Sequence, residues 1–112
     1  MLHTPFYDPE KSYEDNYENG PFGEFLNRKV FEQKGDPKFE FLGHPIFLPF
    51  GIPAGPLINS RYVKAAFAKG FDICVYKTVR THVFPSHPFP NVLYVETNGD
   101  LTLEKMKKPL VA

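Results

Sequence analysis

An apolar run, a short amphipathic stretch and a second apolar run follow one another between Ile46 and Tyr76, and this order constrains the chain more than any other feature. The first run, Ile46 to Ile52, is interrupted by Pro49 and Gly51. Proline donates no ladder hydrogen bond, so the first part of that run belongs at a sheet edge or a bulge. Asn59 or Ser60 then offers a helix N-cap. Arg61 to Lys69 reads as helix, with Val63, Ala66 and Phe67 at i, i+3 and i+4 forming one apolar stripe. Gly70 stands where a C-terminal cap glycine is expected. Phe71 to Tyr76 reads as the next strand, and Ile73-Cys74-Val75-Tyr76 is the near-continuous apolar run of a strand buried on both faces. Strand, helix and strand in this order form a βαβ unit, so the two strands are expected to be parallel and adjacent.

The remaining chain is less regular. Residues 1–37 are polar, aromatic and rich in turn formers, as in Phe6-Tyr7-Asp8-Pro9 and Asn19-Gly20-Pro21-Phe22-Gly23. Ser12 is placed to cap one helical turn at Tyr13–Glu18, with Asp15 completing a capping box. This segment reads as an arm wrapping a larger body, with its aromatic rings as anchors. Phe39 to Leu42 is a short strand that Gly43-His44-Pro45 breaks. Beyond Thr78 lies a proline-rich loop, Phe84 to Asn91. A hairpin is then expected, Val92 to Thr97 pairing with Asp100 to Leu103 around the turn dipeptide Asn98-Gly99.

Composition narrows the function classes. With 112 residues the chain fits one small domain, and 42% hydrophobic and 16% aromatic residues are enough for a core rather than a disordered chain. Thirteen basic residues balance thirteen acidic ones, so the surplus that nucleic-acid binding needs to release phosphate counterions is missing. Cys74 is the sole cysteine, which rules out an internal disulfide, and no Cys/His spacing suggests zinc. That usage fits a reducing, cytoplasmic compartment. Met1 to Glu10 lacks the apolar stretch of a signal peptide, and no run approaches the ~20 apolar residues of a membrane span. The last residues, Lys108 to Ala112, stop on an apolar note with no capping signal, which reads as a cut in a longer chain.

Ligands of parallel α/β folds bind at the carboxyl ends of the strands. That rule selects Pro53-Ala54-Gly55 with the loop to Asn59, and Lys77-Thr78, on one rim. The first segment presents backbone with little side-chain bulk, which suits either a flat ring system or a tight turn that needs small residues. Lys77 follows four apolar residues at a strand end. Its ammonium either meets electron-rich atoms of a bound cofactor or anion, or snorkels to water. Thr78 adds a hydroxyl. His3, His44, His82 and His87 have no ligand spacing, although His82 and His87 follow the second strand and can reach the rim. Cys74 lies inside a strand and reads as a small hydrophobe rather than a nucleophile. The charges of 101–108 read as a solvated face.

The run Leu48 to Ser60, followed by Lys69-Gly70-Phe71-Asp72-Ile73-Cys74-Val75-Tyr76-Lys77-Thr78-Val79, resembles the dihydroorotate dehydrogenase family. The resemblance covers about residues 39–91. It implies the N-terminal portion of an FMN-binding TIM (β/α)8 barrel, made of the first βαβ unit plus hairpins and incomplete in this chain. On this reading 1–37 is an irregular aromatic-rich arm, and 38–112 is the start of the barrel, truncated at the C-terminus. The resemblance implies FMN as cofactor, held by Ala54, Gly55, Lys77 and Thr78, with Lys77 also contacting the substrate, dihydroorotate. It places the catalytic base, a cysteine or serine, in a later loop, so the chain alone is expected to be inactive. The Lys77-Thr78 ending is similar to the class 1, soluble branch. The class 2, membrane-associated branch instead carries a lysine shortly after the first glycine, where this chain has Ile58. Ser86-His87-Pro88-Phe89-Pro90-Asn91 is similar to the class 1 loop Gly-Asn-Pro-x-Pro-Arg. Asn91 replaces that loop's arginine, so no role is carried over to it, and Pro53 before Ala54 is a further departure. The whole protein is expected to take a small-molecule substrate and neither nucleic acid nor membrane, with room for a homo-oligomer. Two other readings share these features. One is a different flavin barrel, such as a dihydropyrimidine or dihydrouridine dehydrogenase. The other is a small non-enzymatic module whose proline-rich loop meets a protein partner.

Overall fold

The computed structural model describes residues 6–27, 29–91 and 98–109. Among them, β3 (Gly51–Ile52), α2 (Ser60–Ala68) and β4 (Ile73–Cys74) form the expected βαβ unit. The strands pair in parallel, Gly51 opposite Ile73 and Ile52 opposite Cys74. The Val75 amide extends the ladder by donating to the Ile52 carbonyl at 3.0 Å. The approach of the two strands depends on Gly51: a Cβ there would lie 1.8 Å from the Ile73 carbonyl oxygen.

Helix α2 begins where Asn59 caps it, the side chain accepting from the Arg61 amide at 3.0 Å. It ends at Lys69 and Gly70, whose φ of 89° lies in the left-handed region that favours glycine. Its inward face is rotated by about one residue from the expected stripe. Tyr62 and Ala66 are buried and Val63 packs beside them, whereas Phe67 is half exposed. Tyr62 takes the central place because its ring is apolar and its hydroxyl finds partners: it bonds the Asn16 and Gly20 carbonyls, each at 2.9 Å.

The N-terminal segment packs on this helix. Ser12 caps α1 (Tyr13–Asn19) through the Asp15 amide, as its sequence suggests. Asn16 is buried and ties the segment together, accepting from the Asp8 amide at 2.8 Å and donating to the Asp8 and Ser12 carbonyls. Arg61 and Asn59 donate to carbonyls of Tyr17 and Glu18. Phe6 meets Phe25 edge-on at 4.2 Å and Tyr62 at 5.2 Å. Tyr7 joins Leu57, Ile58, Tyr62 and Ala66 in the buried cluster. Further along, the Phe31 amide donates to the Ala68 carbonyl at 2.7 Å, and Gln33 donates to the Gly70 carbonyl, so the chain wraps the end of α2.

β1 (Phe39–Phe41) and β2 (His44–Ile46) form an antiparallel hairpin. Gly43-His44-Pro45 therefore does not simply break the strand. Leu42 and Gly43, at φ of 50° and 79°, make a two-residue turn, and His44-Pro45 open β2. Pro45 stands opposite Glu40, a position whose missing N–H faces away from β1 in the alternating antiparallel ladder. The Asp72 carboxylate accepts from the Phe47 and Leu48 amides at 2.6 and 2.9 Å, tying this hairpin to the start of β4.

Two expectations are corrected. The strand after α2 is not buried on both faces: Ile73 and Cys74 are half-buried, and Val75 and Tyr76 are each 51% exposed. The reason is that β4 has one strand neighbour among the described residues and one helix over it. The expected hairpin around Asn98-Gly99 also fails on its second side. Thr102 caps a short helix, α3 (Leu103–Met106), because its hydroxyl accepts from the Lys105 amide, and Asp100 and Leu101 are not strand. Val92 to Thr97 and His3 lie outside the described residues. Among the described residues no helix is long and apolar enough to cross a membrane.

Candidate functional site

The two predicted segments meet. The Lys77 amide donates to the Leu57 carbonyl at 3.1 Å, and the Lys77 ammonium donates to the Gly55 carbonyl at 3.3 Å. The parallel pairing of β3 and β4 brings their carboxyl ends side by side, and these two bonds fasten the loop after one strand to the end of the other. The rim opens on a cavity of about 650 Å³, within the ~300–1,000 Å³ usual for small-molecule sites. Gly55, Lys77 and Thr78 line it, with Pro56 and Ile58 beside them. Ala54 stands one residue back from the wall, half-buried in the turn. Gly55 is exposed, and a Cβ built on it meets nothing within 4 Å, so the backbone here is open to a ligand.

The opposite side of the cavity comes from the loop after β4. Arg80, His82, His87 and Asn91 line it. His82 and His87 thus reach the rim. Arg80 lies over the Phe84 ring at 4.1 Å from its centroid, a cation–π contact that holds the guanidinium to the loop. Among the described residues Lys77 and Arg80 bring positive charge to the lining and no carboxylate does, so the wall attracts an anion.

The N-terminal segment supplies the third side, which sequence reasoning assigned to anchoring alone. Phe6, Tyr7 and Tyr13 line the cavity. Burial, reinforced by the neighbouring Tyr17, raises the Tyr13 phenol above its ordinary range. The Tyr7 hydroxyl donates to the Asn91 side-chain oxygen at 3.1 Å, and the Ser86 hydroxyl donates to the Glu14 carboxylate. The Ser86 bond holds the Glu14 carboxyl below its usual value. The aromatic pair Phe6-Tyr7 in an otherwise polar stretch was the available signal, but a contact across 84 positions has no signature in local sequence.

Cys74 lies in β4, half-buried. Burial, and then the nearby Asp72, push its thiol up.

Over 101 residues, 88% of this chain, the sequence is 45% identical to the dihydroorotate dehydrogenase of Dictyostelium discoideum. The resemblance read from the sequence is borne out. The chain spans 27% of that relative's length. No family model matches the chain, and no solved structure matches it. The matched stretch is longer than residues 39–91, so the similarity to a dihydroorotate dehydrogenase extends beyond them.

Proposed function

We propose that this chain supplies the opening strands of an FMN-binding (β/α)8 barrel and one wall of its flavin site, and that the whole protein oxidises dihydroorotate to orotate. The observation that carries this reading is the meeting of Lys77 and Gly55 on one rim, at the ends of adjacent parallel strands, in a chain similar to a dihydroorotate dehydrogenase. The exposed surface is consistent with a larger body. The chain exposes 9267 Å², against about 6300 Å² for a compact monomer of 12.9 kDa. Its radius of gyration is 16.7 Å, where a compact domain of this length has about 13 Å. Val75, Tyr76 and Val79 are the apolar side chains that further strands would cover. On this reading residues 38–112 open the barrel, and 1–37 form an arm beside the site.

The residues present fit a flavin. The open backbone at Gly55 suits a flat ring, Thr78 brings a hydroxyl, and Lys77 brings a positive charge. FMN, when bound, would accept the hydride. Ala54 and Gly55 would lie against the ring system, and Thr78 would hydrogen-bond it. Lys77 would bridge flavin and substrate, and its charge would offset the negative charge that builds on reduction. The proton on the carbon next to the one that gives up hydride would go to a base. No residue of this chain is assigned as that base; Cys74 is excluded by its position inside β4 and its raised thiol. The charges of Lys77 and Arg80 on this wall favour a substrate that carries a carboxylate.

The test is dye reduction by the purified whole protein, with dihydroorotate beside a dihydropyrimidine that lacks the carboxylate. The reading expects reduction with dihydroorotate and little with the other. Turnover of the uncharged compound alone would move the assignment to a different flavin barrel.

A further inference from the structure

Among the described residues two hydrogen bonds join the N-terminal segment to the loop after β4, and they are unequal. Glu14, which accepts from Ser86, is exposed, so that contact adds little. Tyr7 is 9% exposed, and its ring belongs to the core with Leu57, Ile58 and Tyr62. Its hydroxyl therefore projects from a side chain that cannot turn without disturbing that core. Its acceptor, the Asn91 side-chain oxygen, lies at the end of a loop in which residues 78–85 are all exposed. A donor fixed by packing faces an acceptor on a segment with few contacts of its own. Both residues line the cavity that Gly55 and Lys77 line from the other side.

We propose that Tyr7 is a positioning residue for this site. By holding Asn91 it fixes the loop of residues 80–91, with Arg80, His82 and His87, across the cavity from Lys77, and the N-terminal segment so becomes a wall of the ligand site. The inference rests on the reading of the cavity as the ligand site of the proposed dehydrogenase. It also gives Asn91 a role: a short amide supplies the acceptor that the phenol needs.

The test uses the whole protein, wild type beside Tyr7→Phe, Asn91→Ala and the double variant. Tyr7→Phe keeps the ring in the core and removes only the hydroxyl. Asn91→Ala approaches the same bond from the loop and leaves the core untouched. Trypsin cleavage after Arg80, followed by mass spectrometry, reads how firmly the loop is held, and visible absorbance reads flavin content separately. Each single variant is expected to be cut about fivefold faster at Arg80, the ratio that losing one typical hydrogen bond gives. The double variant is expected to be cut no faster than either, because both substitutions remove the same bond. KM for dihydroorotate should rise by a similar factor, with a smaller change in kcat. Unchanged cleavage in both single variants, or additive increases in the double variant, would overturn the proposal. A colourless protein whose cleavage still responds to both substitutions would support the positioning role and remove the flavin reading instead.

Discussion

At the scale of single residues, Lys77 and Tyr62 do different work. Lys77 sits half-buried at the end of β4, its ammonium on the Gly55 carbonyl. If it offsets charge in the transition state, Lys77→Met should lower kcat/KM by about 10²–10³, the usual effect of deleting one such group. Steady-state kinetics on protein with equal flavin content checks this. Tyr62 holds the N-terminal segment to α2. Tyr62→Phe keeps the ring and removes the hydroxyl that the Gly20 carbonyl and, beside the Gly20 amide, the Asn16 carbonyl accept from, which should cost about 1–3 kcal/mol in thermal or urea unfolding. Burial raises the Tyr62 hydroxyl from an ordinary pKa of 10 to about 12. The folded state therefore binds that proton more tightly than the unfolded chain does. Its contribution to stability is complete below pH 10 and is lost as pH rises through about 12. Urea midpoints measured across that window should fall more steeply in wild type than in Tyr62→Phe. The place of Lys77 on the rim could be read in the sequence, because a lysine after four apolar residues at a strand end either meets a ligand or snorkels to water, and both put its ammonium there. The importance of Tyr62 could not, because its value lies in two carbonyls more than forty positions away.

At the scale of elements, the βαβ unit was the most legible part of the chain. The Asn59 cap, the i, i+3 spacing and Gly70 are local signals, and each predicts its own neighbourhood. Strand length and burial were not legible, because they depend on neighbours: Val75 and Tyr76 carry the composition of a buried strand while half exposed. The hairpin around Asn98-Gly99 failed in part for a related reason, since the Thr102 cap outcompeted the turn dipeptide on the C-terminal side. Gly51 reads in sequence as an interruption of a strand, yet in the structure it is what lets β3 approach β4. Gly51→Ala would place a methyl group against the Ile73 carbonyl, so the strands must part, and a loss of about 1–3 kcal/mol is expected. Asn59→Ala removes both the cap of α2 and a bond to the Tyr17 carbonyl, and should cost about 1–2 kcal/mol. Chemical denaturation of either variant measures the loss.

At the scale of the whole molecule, the candidate site is built from three stretches of chain that no local pattern connects. β3 and β4 give the rim, the loop after β4 gives a cationic side, and the N-terminal segment closes the third. The rim was readable because ligand position follows strand direction in parallel folds. The third side was not, because it depends on where an irregular segment docks. The small buried cluster and the many exposed aromatic side chains have one further consequence. The 112-residue chain expressed alone should show no dihydroorotate-dependent dye reduction and no sharp thermal transition, because among the described residues each sheet has two strands and many large apolar side chains are exposed. Activity of the isolated chain would contradict that. The central claim, that Gly55, Lys77 and Thr78 form part of a flavin site, is tested most directly by the visible spectrum of the purified whole protein. The account predicts a yellow protein with about one flavin per chain, bleached by dihydroorotate in the absence of an acceptor. A folded protein that is colourless, and stays so when FMN is added, would contradict it.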